Sequence, residues 1–293
     1  MSITVAPQRP ATTQPFWPRL RSYLLNSLVF IVLVVASVVI LAPFLWVVST
    51  SLRLPRESFT LPPQWLPTDL HFDNYREVFR RAPFFTYLLN SIVVSGLVVI
   101  GQLITASMAA YAFARLRFPG KSLLFILLMS ALMIPIQATI IPVFVLIRYM
   151  NLSDTLWSLI VPGWSSAFGV FLLRQFFLTI PTDLEDAARI DGAGSWQIYT
   201  RIILPLAAPA LSVLAILTFN GYWNEFFRPL IFLATNDRFT LPLGLVTLRG
   251  YLGSGSIAVV LAGITLSTVP VLILYVVTQR FLIEGITLTG IKG

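Results

Sequence analysis

The sequence predicts an all-α integral membrane protein: six transmembrane helices, both termini cytoplasmic, and a two-helix cytoplasmic loop between spans four and five. Three observations carry this. The 293 residues are 57% hydrophobic and only 11% charged, with a mean hydropathy of +0.84, far from the composition of a soluble domain. Six stretches reach the roughly 20 mostly apolar residues that a helix needs to cross a bilayer. The 12 acidic and 20 basic residues could not cover the surface of a soluble chain this long without large apolar patches.

The elements follow in order. Residues 1–22 form a polar, Pro-rich cytoplasmic tail carrying Arg9, Arg19 and Arg21. Span one, Leu24–Val48, is too long for a cleaved signal peptide's apolar core of about 7–15 residues, so it is a retained span. With the outside segment Arg53–Pro83 it makes a unit over 23–85. In that segment Asp73–Arg81 suits a short surface helix with Asp73 or Asn74 near its cap. The transmembrane core is 86–283, with spans Thr86–Ala114, Leu123–Ile147, Leu156–Ile180, Leu206–Leu233 and Ile257–Phe281, and 284–293 is a cytoplasmic C-terminal tail. Ala106, Ala110 and Ala114 give span two a small-residue ridge for close helix packing. Pro135, Pro142, Pro162, Pro209, Pro229 and Pro270 are expected to kink their helices.

An even number of spans puts both termini on one side. With termini inside, the cytoplasmic segments carry eleven of the twenty bases: Arg9, Arg19, Arg21, Arg115, Arg117, Lys121, Arg174, Arg189, Arg201, Arg280 and Lys292. The tail and the Arg115–Lys121 turn each hold three bases and no acid, and early spans dominate orientation. The net charge of +8 is scattered in ones and twos, which fits anionic lipid headgroups rather than nucleic acid.

Function classes are cut back by what the chain lacks. It has no cysteine and one histidine, His71 in an outside loop, so a catalytic triad or a His/Cys metal cluster has nothing to stand on. Gly120-Lys121-Ser122 is not a phosphate loop, because Arg115 occupies the place of its first glycine and no strand precedes it.

After span four the chain reads Pro181-Thr182-Asp183-Leu184-Glu185-Asp186-Ala187-Ala188-Arg189-Ile190-Asp191-Gly192. Thr182 with Glu185 reads as a capping box, and the acids suit the positive end of a helix dipole. Leu184, Ala187, Ala188 and Asp191 share one face, and Gly192 can take the left-handed conformation that stops a helix. A second helix, Trp196–Ile203, then leads to Pro205. From these residues alone the element either lies on lipid or docks its shallow face into another protein; the acids speak against lipid.

Asp186-Ala187-Ala188, three residues, Gly192, nine residues, Ile202, one residue and Leu204-Pro205 resemble the E-A-A loop of ABC importer membrane subunits. Asp186 stands where that pattern has Glu. The resemblance extends over about Phe72–Gly293, including Asp73-Asn74-Tyr75, Trp223-Asn224-Glu225-Phe226 and the end from Glu284 to Gly293. These features are similar to the second membrane subunit of maltose-type and glycerol-phosphate-type carbohydrate importers.

The resemblance implies a permease in a prokaryotic cell membrane that forms half of a translocation pore and is not itself an enzyme. Its implied partners are a second homologous membrane subunit, two ATPase subunits and an extracytoplasmic solute-binding protein. It implies no cofactor in this chain, with ATP and Mg in the ATPase subunits. The coupling residues it implies lie in the loop: Glu185, Asp186, Ala187, Ala188, Asp191, Gly192, Ile202, Leu204 and Pro205. A solute pathway is suggested by Asn90, Asn220, Trp223, Asn224 and Glu225, since amides and charges at membrane depth face a bundle interior or water. An interhelical hydrogen-bond cluster explains the fifth-span group equally well. A glycerol phosphate or polyol importer of the same architecture is a sibling reading. An ATP-independent secondary transporter is disfavoured by the lack of an inverted repeat with paired broken helices.

Overall fold

A computed structural model of the chain describes residues 16–54, 57–58, 65–67, 69–250 and 255–290, with side chains from 25 to 279. The tail 1–15, the run Leu61-Pro62-Pro63 and residues 291–293 lie outside the described residues. Helices are α1 (Phe16–Ser51), α2 (Asp73–Arg81), α3 (Phe84–Arg115), α4 (Lys121–Ser130), α5 (Ile136–Tyr149), α6 (Trp157–Gly163), α7 (Ala167–Thr179), α8 (Asp183–Ile190), α9 (Ser195–Ile198), α10 (Leu204–Leu206), α11 (Ala208–Trp223), α12 (Phe227–Phe232), α13 (Leu241–Thr247) and α14 (Ile257–Gly290). Among the described residues there is no strand. At 32 residues, α3 is about 48 Å long, more than a hydrocarbon core of about 30 Å, so its ends project.

Central α3 packs against α7, α11 and α6, while α14 joins α1, α11 and α2. Lipid supplies no hydrophobic drive between helices, so close approach rests on small residues. Ala106 and Ala110 are fully buried at the α3–α7 seam with Leu173 and Phe177. Gly101 serves the same end: a Cβ there would lie 2.0 Å from Trp164 Cδ1. The apolar middle of α1, from Leu28 to Leu41, stays exposed.

Among the described residues four helices are long and apolar enough to span, and two further bent pairs bring the number to six if each counts as one. The sequence-predicted third span is broken outright: Lys121–Met133 and Ile136–Tyr149 meet at 106°. Pro135 is the cause, because it pushes Ile134 out of helical geometry to φ −89°, ψ 116°. The second bend, 75°, lies at Ala207 between Ser195–Leu206 and Ala208–Trp223; Pro209 sits beyond it in the first turn of α11, where proline is tolerated. Broken helices are therefore present where the sequence suggested only kinks. In the fourth span α6 and α7 are separated by Trp164–Ser166, and the Ser166 hydroxyl caps α7 by accepting from Gly169 N at 3.0 Å. The helix of α14 continues to Gly290, across the boundary expected at 284.

Candidate functional site: an anchored loop and a polar cavity

The loop after α7 begins without the expected capping box. Thr182 is itself helical (φ −68°, ψ −23°) and makes no side-chain cap. Glu185 turns inward instead: it is 3% exposed, and its Oε1 lies 2.6 Å from Nε of Arg115 at the end of α3. The contact is an ion pair off the hydrogen-bond direction, since neither atom makes an aligned bond. Arg115 also donates to the Ile180 carbonyl at 2.5 Å, and Arg189 lies 3.7 Å from the second oxygen of Glu185. One buried pair thus ties α8 to the central helix.

The end of α8 is a Schellman motif. Gly192 has φ +84°, its N–H donates to Arg189 O at 3.0 Å, and Ala193 N–H donates to Ala188 O at 2.9 Å. Gln197 Oε1 then accepts from Gly194 N at 2.9 Å, starting the second helix. That helix runs Ser195–Leu206 through a π-helical turn at Tyr199–Ile203. Its inner side, Ile198, Tyr199 and Ile203, is buried on α3 and α7, and the Tyr199 hydroxyl meets Ser107 Oγ at 2.8 Å.

The outer face differs in composition from the one read in sequence. Leu184, Ala187 and Asp191 are exposed, but Ala188 packs inward with Ala193 against the core. Ile190, 87% exposed, and Trp196, 63% exposed, join that outer face. Asp186 is exposed beside Arg189 at 3.4 Å. Ile202 and Leu204 are half-buried, the latter on the core, and Pro205 is exposed.

The fifth-span residues separate into groups. Asn90 donates to the carbonyls of Asp237 and Phe239 at 2.9 and 3.0 Å, tying down the turn before α13. Trp223 is buried, stacked on Phe219 with centroids 5.4 Å apart, in a cluster with Tyr87 and Leu241. Asn220 and Asn224 are exposed, and Asn224 Nδ2 donates to Asn220 Oδ1 at 3.1 Å. Glu225 Oε1 accepts from Phe227 N and Arg228 N at 3.2 and 3.3 Å, starting α12. Its other oxygen lies 3.6 Å from Arg228 Nε.

Beside that group a cavity of about 460 Å³ opens between α3, the α6–α7 break and α11. Gln102, Ser165, Ser166, Thr218, Tyr222 and Arg228 supply its polar lining. The Arg228 guanidinium donates to Tyr222 OH at 2.8 Å and lies 5.0 Å from that ring's centroid. Sequence reading missed Gln102 and Thr218; the available signal was an amide alone in the apolar middle of span two. Among the described residues no cluster of His, Cys, Asp and Glu could hold a metal ion.

Residues 102–283 match the family described as binding-protein-dependent transport system inner membrane component. An arabinooligosaccharide transport system permease protein of Halalkalibacterium halodurans is 39% identical over 228 residues, 78% of this chain and 81% of that protein. A trehalose transport system permease protein of Mycobacterium tuberculosis is 36% identical over 259 residues, 86% and 93% of the two chains. Among solved structures, a bacterial ABC transporter involved in import of the acidic polysaccharide alginate superposes with TM-score 0.78 at 26% identity. That superposition covers 91% of this chain and 99% of the other.

Proposed function

The chain belongs to the family of binding-protein-dependent transport system inner membrane components, and we propose that it is the pore-lining permease subunit of an ATP-driven carbohydrate importer. Both termini are cytoplasmic in this reading, and the α8–α10 loop couples the pore to ATPase subunits. The ATP and Mg chemistry belongs to those subunits. A second homologous membrane subunit completes the pore, and an extracytoplasmic solute-binding protein delivers the sugar. Relatives named for arabinooligosaccharide and trehalose transport support the sugar class.

One observation carries the coupling role: a loop held rigidly on its inner side presents an uncovered apolar face outward. Arg115 and Glu185 fix α8 to α3, while Leu184, Ile190 and Trp196 are exposed. An apolar face flanked by Asp186 and Asp191 fits a protein groove better than an anionic lipid surface. Closure of the ATPase pair would then move α8 and α3 as one body. Each ligand biases that equilibrium only by its differential affinity for the two states.

The sequence contains no cysteine, so Ile190→Cys provides a unique reporter. Its cross-linking to an ATPase subunit in intact membranes, lost when the ATPase is deleted, is the expected result. Maleimide labelling of Ile190→Cys that is indifferent to the ATPase and reaches the residue only from outside the cell would sink the assignment.

A further inference from the structure

The cavity holds polar groups that the protein leaves without partners. Gln102 is 6% exposed and Thr218 is 7% exposed, and among the described residues neither side chain has a hydrogen-bond partner. Many other threonines on these helices return their hydroxyl to a carbonyl three or four residues back, as Thr105, Thr139 and Thr265 do. Their polar atoms are free to bond whatever occupies the cavity, solute or water. The space is of the right size: about 460 Å³ falls within the roughly 300–1,000 Å³ of small-molecule sites.

The charge of the lining narrows the ligand. Arg228 is its one cation, and its guanidinium is engaged by Glu225 at 3.6 Å, by Tyr222 OH at 2.8 Å and by the Tyr222 ring. An anionic solute would have to compete with Glu225, already paired inside the protein, and would meet no spare positive charge. Hydroxyl groups suit the remaining set, because the Gln102 amide both donates and accepts and the Thr218 and Ser165 hydroxyls can do either. Phe168 and Leu217, also in the lining and exposed, offer apolar surface to the C–H face of a ring.

We propose that this cavity is a hydroxyl-recognising subsite for an uncharged sugar, in which Gln102 and Thr218 take the solute's hydroxyls and the Glu225–Arg228 pair disfavours anions. The inference rests on the carbohydrate reading and sharpens it, since it sets neutral sugars apart from glycerol phosphate and uronates. The test uses the full complex in cells with radiolabelled trehalose, arabinotriose, glycerol 3-phosphate and a galacturonate trimer. Wild type is expected to take up a neutral sugar. Gln102→Leu and Thr218→Val are each expected to cut that uptake at least tenfold, with unchanged membrane levels.

A binding readout separates recognition from folding. In a Leu217→Cys background the transported sugar should slow maleimide labelling several-fold, and adding Gln102→Leu should abolish that protection. Sugar uptake and protection within twofold of wild type in both variants would mean that the cavity holds only water, overturning the subsite while leaving the importer reading intact. Wild-type cells that take up only the anionic probes, or none of the four, would overturn the subsite and the neutral-sugar reading together.

Discussion

Replacing Arg115 by Met should release α8 from the body of the protein. The substitution leaves the Glu185 carboxylate 3% exposed with only Arg189, 3.7 Å away and itself half exposed, to balance it. It also removes the donor to Ile180 O. Breaking a buried pair by deleting one partner costs about 3–5 kcal/mol, whereas replacing both members by apolar groups is often near neutral. Arg189 offsets part of the loss, so the lower end, about 3 kcal/mol, applies. That raises the released population of α8 roughly a hundredfold.

A cysteine at Ala188, half-buried against the core, reports the release. Its maleimide labelling should be slow in the parent, about a hundredfold faster with Arg115→Met, and close to the parent rate in Arg115→Met/Glu185→Leu. ATP-coupled uptake should fall and recover in the same order. Equal labelling in all three, or a double variant as fast as the sum of the singles, would refute the anchoring argument.

Three further outcomes follow from the structure. Gly192→Ala meets open space but keeps φ +84°, so its cost should be the left-handed strain alone, about 1–2 kcal/mol; Gly192→Asn should be milder in thermal unfolding of the purified complex. Gly101→Ala should displace Trp164 and its 3.0 Å bond to Leu97 O, read as a shift in tryptophan emission against a Trp164→Phe control. Burial opposes ionisation of Asp154, but hydrogen bonds from Thr235 and Ala234 and the charge of Arg238 hold its pKa down at about 2, below the ordinary 3.8. Its ionised form therefore stabilises the α5–α6 loop above about pH 3.8, and that contribution is lost as pH falls toward 2. Asp154→Asn should lower the melting temperature at neutral pH, with the gap to wild type closing in that acid window.

How far the sequence reached depended on whether the deciding partner was local. The apolar runs and the stop at Gly192 are local signals, and both stand in the structure. The start of α8 was misread because Thr182 and Glu185 satisfy a local pattern, while the real partner of Glu185 is Arg115, distant in sequence. Ala188 was placed outward for a related reason: a helical wheel cannot say which side the body occupies. Pro135 announced a kink, but a proline alone does not give the size of the bend, which is 106°. Trp223 looked like a pathway residue, and only the stacking of Phe219 and the return of α13 show it as core. Gln102 was passed over because one amide does not disturb the hydropathy of a span as apolar as α3.

The central claim, that this chain is a pore subunit driven by a partner ATPase, is tested most directly by reconstitution in liposomes. The complex purified through a tag on this chain, supplied with internal ATP and the solute-binding protein, should accumulate a sugar and stop when ATP or the ATPase subunits are omitted. Equal accumulation by liposomes holding this chain alone, without ATP, would contradict the account.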